Sequence, residues 1–297
     1  MKIIGIGETV FDIIFRNNQP VRAVPGGSTF NAMISLGRKL GSEGIPCVMI
    51  TETGDDHVGR MITGFLTQNN VSAEYVTVHK GTKSHISLAF LDKNNDAQYT
   101  FYKDHEHADI PLRFPKVEHD DLVLFGSFFA INPVIRKSTK TFLTQAYESG
   151  AMLYYDINFR KNHQADLPRV RDNINENYRM ATVVRGSTED FDFLYGKKDA
   201  AHIYHEHIEP YCKNFICTDG GNPVKVFTPE IEGMEIPVEK IETISTIGAG
   251  DNFNAGFLCG MAKYGVGFDE RKLRMAIDIA QQFSSAVCQS LYNYVEK

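Results

Sequence analysis

Short apolar runs rich in β-branched residues alternate along the chain with longer segments whose apolar positions recur every three to four residues. The runs at 2–7, 46–51, 121–126, 151–156, 181–185 and 214–218 read as buried strands. Between them, 29–40, 57–69, 133–149, 171–179 and 188–195 carry helical spacing. Two consecutive helices, 249–263 and 272–288, follow, and in the second Leu273, Ala276, Ile277, Ala280, Phe283 and Val287 share one face. This alternation predicts an α/β fold: a doubly wound, mostly parallel sheet with helices on both faces. Ligands of such sheets bind beyond the carboxyl ends of the strands.

Two stretches break the alternation. Residues 71–102 hold only strand-like pieces, at 75–79, 85–91 and 98–102, the last two joined by the turn Asp92-Lys93-Asn94-Asn95-Asp96. Residues 15–24 are also short, polar and strand-like. Together they predict a small β-sheet lid, with strands from about 15–24 and 71–105, on a single domain spanning 1–297. An extra edge hairpin is the other reading of the same pieces.

Composition narrows the class. The 297 residues, 42% of them hydrophobic, suffice for one large core. A net charge of -6, from 31 basic and 37 acidic residues, argues against a nucleic-acid surface. No apolar window is long enough to span a bilayer, and the opening MKIIGIGETVFD reads as a strand and not a signal peptide. The five cysteines are scattered without a CxxC pair, so reduced thiols, a cytoplasmic setting and no zinc site are expected. His105 and His107 read as surface histidines at the lid edge.

The most informative segment is Gly248-Ala249-Gly250-Asp251, which opens a helix carrying Phe253, Phe257, Leu258 and Met261. Two glycines one residue apart let the backbone aim successive N–H groups at one point. A helix N-terminus adds unpaired donors and a partial positive charge, so the turn suits a phosphate. Asp251 has two readings. It caps the helix, or it is a general base that takes a proton from a substrate hydroxyl beside the cradle.

A second glycine pair, Gly26-Gly27, precedes a helix with Ser28 or Thr29 as its expected N-cap and Gly41 as its stop. Asn31 in its first turn, and Asp12 just after the first strand, are groups that bind sugar hydroxyls, although a capped helix and a surface carboxylate would look the same. No GxxxxGK[ST] occurs, which excludes a Walker-type nucleotide site, and neither GxG turn carries the third glycine of a dinucleotide fingerprint.

In order along the chain stand Gly7-Glu8 with Asp12, Gly26-Gly27 with Asn31-Ala32, Gly54-Asp55-Asp56-His57-Val58-Gly59, Asp156-Ile157-Asn158-Phe159-Arg160 and Thr246-Ile247-Gly248-Ala249-Gly250-Asp251. With these five elements the chain resembles the ribokinase-like (PfkB) sugar kinases over nearly its whole length. The resemblance implies a doubly wound domain with a β lid and ATP-dependent phosphorylation of a primary sugar hydroxyl, with magnesium. It implies Asp251 as base, Gly248, Ala249 and Gly250 as anion hole, and Asp12, Gly26, Gly27, Asn31 and Arg160 on the sugar. Ser187, Thr218, Gly220 and Gln281 fall at nucleotide positions, and Glu189 and Asp190 at metal-linked ones. A homodimer through the lid is an assembly the resemblance allows.

The chain departs from the family pattern at four places. Ser245 replaces an aspartate that helps hold a monovalent cation, which argues against potassium activation. Ser187 and Asp190 replace the Asn and Glu of Asn-x-x-Glu, and Gln281 replaces an adenine-side Asn. Pro25-Gly26-Gly27-Ser28, Tyr99-Thr100-Phe101-Tyr102-Lys103 and Phe125-Gly126-Ser127 look most like fructokinases, so fructose ranks first, ahead of ribose or 2-keto-3-deoxygluconate. Phe101 is read either as core or as packing on the sugar face. The remaining alternatives are a sugar- or nucleotide-binding regulatory protein with little turnover, and an oxidoreductase using one of the GxG turns.

Overall fold

Ile3 and Ile4 are neighbours in the first strand, yet each belongs to a different hydrophobic core. The same split runs through every central strand: Met49 against Ile50, Leu124 against Phe125, Tyr154 against Tyr155. Side chains of a strand point alternately to its two faces, so a strand apolar at every position must be covered on both. The computed structural model describes residues 1–91, 97–104 and 111–296. The turn expected at 92–96, and His105 and His107, lie outside the described residues.

The first part of the chain contains β1 (Ile3–Ile6), β2 (Val10–Arg16), β3 (Gln19–Gly26), α1 (Ser28–Lys39), β4 (Cys47–Gly54) and α2 (His57–Gln68). Next come β5 (Val71–Ser72), β6 (Val76–His79), β7 (Ile86–Leu91), β8 (Ala97–Tyr102), β9 (Leu122–Gly126), α3 (Arg136–Ser149) and β10 (Met152–Asp156). The last part holds α4 (Leu167–Met180), β11 (Val183–Ser187), α5 (Thr188–Tyr195), α6 (Ala200–Ile203), β12 (Phe215–Asp219), β13 (Asn222–Thr228), β14 (Ile231–Ile236), α7 (Ala249–Tyr264) and α8 (Glu270–Cys288).

The large sheet runs β14-β13-β12-β11-β10-β9-β1-β4-β5, with β6 also on β4. It is parallel from β12 to β6, and only β13 and β14 join antiparallel. One core holds Phe30 and Met33 of α1, Ile62 of α2, Phe257 of α7 and Ile277 of α8. The other holds Phe142 of α3, Ile174 and Tyr178 of α4 and Phe191 of α5. This is the doubly wound architecture the alternation predicts.

A separate four-stranded sheet, β3-β2-β7-β8, forms the lid. It differs from the expectation in two ways. The strand at 75–79 is not part of it: Val76–His79 pairs in parallel with Thr51–Gly54 and extends the main sheet. The single strand expected at 15–24 is a hairpin of β2 and β3 instead, turned by Asn17 and Asn18 at φ 51° and 60°. Two consecutive left-handed residues make the tight turn whose twist suits a hairpin, and asparagine tolerates that conformation.

Two helix ends also differ. The N-cap of α1 is Gly27, not Ser28 or Thr29, and it makes no side-chain cap. The end of α1 is Leu40 in right-handed geometry, so Gly41 is not a left-handed stop; that conformation falls at Gly44, φ 84°.

Candidate functional site

Asp251 lies in the first turn of α7, whose N-cap is Gly248 in left-handed geometry (φ 80°). Its carboxylate does not cap the helix. Oδ1 accepts from Ser28 Oγ at 2.6 Å and Oδ2 from Asn31 Nδ2 at 2.9 Å, both in the first turn of α1. The amino ends of two helices thus meet at one carboxylate. Burial pushes the Asp251 carboxyl above its ordinary range, the two hydrogen bonds and nearby Arg160 work against that, and Asp156 adds to it. The oxygen of the Asn31 amide, Oδ1, is buried without a partner among the described residues.

The cradle is only partly as expected. The N–H of Ala249 is spent on the Thr246 carbonyl at 3.2 Å, whereas those of Gly250 and Asp251 take no carbonyl among the described residues. From below, Asn293 supports the turn: its carbonyl accepts from Asn252 Nδ2 at 2.8 Å, and a side chain at Gly248 would come within 2.9 Å of it. Two positions on, Val295 holds this segment in place. Val295 N donates to Ser35 Oγ at 3.1 Å, and Arg38 bonds the Val295 carbonyl at 2.7 Å.

The glycine pair has a steric reason. A side chain at Gly26 would strike the Asp12 carboxylate, and one at Gly27, φ 120°, would strike the Glu8 carbonyl. Asp12 Oδ1 accepts from Ser87 Oγ on the neighbouring lid strand. Burial raises the Asp12 carboxyl to about 6; Ser87 opposes this and the charge of Asp251 adds to it. Opposite Ser87 stands Phe101, 46% exposed and stacked on Tyr99 at 5.9 Å. Phe101 is therefore not core; it shares the Asp12 face of the lid.

Where the lid meets the main sheet, Glu8 Oε1 accepts from Lys103 Nζ at 2.6 Å and pairs with His85 at 2.9 Å. Burial opposes its ionisation, but these two partners prevail and hold Glu8 at about 2. These three residues line a cleft with Glu52, His79 and Phe128. Next to Phe128 in the chain, Ser127 is bonded to Asn158 at 2.7 Å beyond the ends of β9 and β10, both at positive φ (53° and 36°). Non-glycine residues in that conformation cost energy and cluster at functional sites. Arg160 follows Asn158, exposed, within electrostatic reach of Asp251 and Tyr99.

The positions expected to bind nucleotide and metal are less converged. Ser187 and Asp190 form a capping box at the start of α5: Asp190 Oδ2 accepts from Ser187 N and Oγ, both at 2.7 Å. Burial raises the Asp190 carboxyl, and the nearby Asp156 charge adds to it. Asp190 is thus buried, with Oδ2 engaged at the head of α5. Glu189 beside it is exposed, and no cluster of three or more metal-ligating side chains exists among the described residues. Thr218 accepts from Arg185 at 2.6 Å, Gly220 turns β12 into β13 at φ 54°, and Gln281 donates to the Pro237 carbonyl at 3.0 Å. Sequence reasoning did not pair Ser28 with Asp251, Ser87 with Asp12 or Lys103 with Glu8, because these partners lie far apart in the chain.

Residues 2–294 match the pfkB family carbohydrate kinase. The chain belongs to that family. Among its curated relatives is the probable fructokinase-5 of Arabidopsis thaliana, 25% identical over 300 residues, 96% of this chain and 90% of the relative. Among solved structures of similar fold, the fructokinase of Vibrio cholerae in its fructose, ADP and calcium bound form superposes with a TM-score of 0.85 at 21% identity, covering 99% of this chain and 94% of that one. The aminoimidazole riboside kinase of Salmonella enterica, complexed with its riboside and an ATP analogue, gives 0.82 at 20%, covering 98% and 94%.

Proposed function

We propose that this pfkB-family kinase transfers the terminal phosphoryl group of ATP to a primary hydroxyl of a small sugar, fructose first among acceptors. The observation that carries this reading is Asp251, held between Ser28 and Asn31 at the open mouth of α7. A carboxylate so placed takes the hydroxyl proton as the oxygen attacks, while donors of Gly250 and Asp251 steady the phosphoryl charge. Asp12, the open Asn31 Oδ1 and backbone beside Gly26 and Gly27 would orient the sugar, with Phe101 and Arg160 along its flank. Fructose ranks first because the relatives matched carry fructokinase names and the Vibrio structure holds fructose.

The nucleotide would lie over Ser187, Thr218 and Gly220, with Gln281 beyond them. Magnesium held mainly by phosphates and water needs only one or two protein carboxylates, so exposed Glu189 suffices and Asp190 does not take part. The ion would neutralise phosphate charge; everything else in the step is positioning by the chain. We read residues 1–297 as one kinase unit with β2, β3, β7 and β8 as its lid. On the outer face of that lid, Phe15 stacks on Phe90 at 4.9 Å and Tyr102 stands 58% exposed, so a homodimer would form there. All five cysteines are free and no helix among the described residues is long and apolar enough to cross a membrane, which fits work in the cytoplasm.

Purified protein with ATP, magnesium and a panel of sugars tests the proposal. ADP release with fructose above the other sugars is expected. Release with another sugar alone would replace fructose, and sugar-dependent thermal stabilisation without ADP would make this a binding protein instead.

A further inference from the structure

Arg185, the middle residue of β11, is 6% exposed and carries no role in the reading above. Its Nη1 donates to Asp156 Oδ1 at 3.0 Å and its Nη2 to Thr218 Oγ1 at 2.6 Å. Its guanidinium also packs directly against Gly250: a side chain there would lie 3.2 Å from Nη1. The third nitrogen, Nε, is buried with no partner among the described residues. The group stands 5.5 Å over the ring of Phe253, one turn into α7.

Three elements therefore meet on one cation: the turn of the phosphate cradle, the β12 end that precedes the Gly220 turn, and the strand end carrying Asp156. Asp156 extends the chain of contacts, its Oδ2 accepting from Asn254 Nδ2 at 2.8 Å, and Asn254 in turn accepting from Tyr154 at 2.9 Å. Asn254 lies three residues beyond Asp251 on the same helix. A structural ion pair alone needs neither a glycine under the guanidinium nor a location between two anion-binding turns. A buried charge with few water molecules to screen it acts strongly on a neighbouring anion.

We propose that Arg185 is a positioning residue for phosphoryl transfer, fixing the Gly248–Asp251 turn against β12 and supplying the cradle with positive charge for the nucleotide phosphates. The inference rests on the sugar-kinase reading for its catalytic half only, because phosphate binding is measurable without any acceptor.

Arg185→Lys and the paired change Arg185→Met with Asp156→Asn separate charge from packing. The pair removes both ionic partners together, which avoids stranding one buried charge. ADP with magnesium, and adenosine as the phosphate-free control, are titrated by calorimetry. The Met/Asn pair is expected to weaken ADP by about ten- to a hundredfold while adenosine is unchanged. Arg185→Lys, which keeps the charge and loses the fork, is expected to retain ADP within about threefold but to lower kcat by about tenfold or more. The proposal is overturned if the folded pair binds ADP like the wild type, or if ADP and adenosine weaken together. It is equally overturned if Arg185→Lys, should the pair not fold, leaves both ADP binding and kcat untouched. If no sugar supports turnover, the ADP-against-adenosine comparison still decides the charge, and only the kinase reading fails.

Discussion

Asn31 Nδ2 donates to Asp251 Oδ2 at 2.9 Å, joining the first turns of two helices that lie 220 positions apart in the chain. With Ser28 on the other oxygen, the carboxylate is fixed in direction. Asp251→Asn keeps the shape and both neighbours but cannot accept a proton. It should lower kcat by about two to four orders of magnitude with sugar affinity nearly intact. Steady-state kinetics beside calorimetric sugar binding check this, and unchanged turnover would remove Asp251 from the chemistry.

Ser28 and Asn31 also set the acidity of Asp251. Their hydrogen bonds favour its charged form and oppose the rise caused by burial. Removing either bond lets the pKa climb further. Ser28→Ala and Asn31→Ala should each move the acid limb of kcat/KM to higher pH. A pH profile whose limb stays put, or moves down, contradicts this account.

Asp12 provides a stability test with a definite sign. Its folded pKa of about 6 lies above its ordinary 3.8, so the folded state prefers the protonated acid. Stability from that preference is complete below pH 3.8 and is lost as pH rises through about 6. Asp12→Asn should therefore be more stable than the wild type near neutrality by about 1–3 kcal/mol, with the difference closing in acid. The same change should raise KM for the sugar far more than for ATP. Denaturant melts at two pH values and paired KM measurements read both effects.

Gly248 turns at φ 80° with the Asn293 carbonyl close beneath it. Gly248→Ala meets both a left-handed backbone and a tight contact, and should cost about 1–3 kcal/mol. Because the turn itself must shift, kcat should fall as well. A variant with normal melting temperature and normal kcat would show that the cradle does not depend on this turn.

The sequence made the parallel sheet readable because its strands are apolar at every position and its helices amphipathic, and both periodicities survive without tertiary information. Asp251 and the Gly26-Gly27 pair were legible for the same reason: a glycine turn before a helix has a local signature. The β2–β3 hairpin was not, because Asp12 and Arg16 break the apolar run and the Asn17-Asn18 turn carries no glycine. Val76–His79 looks like its lid neighbours as a string of residues; only its pairing with β4 sends it to the main sheet. Asp190 illustrates the limit most clearly. Its spacing matched a metal position, but spacing does not reveal that Ser187 occupies its carboxylate. Arg185 was invisible because a lone arginine within a strand gains meaning only from Asp156, Thr218 and Gly250 around it.

The support of Gly248 by Asn293 reaches beyond the cradle. The segment that follows α8 is anchored by Ser35 and Arg38 and underlies the Gly248 turn. Deleting residues 293–295 would then silence the enzyme while leaving its circular dichroism almost untouched.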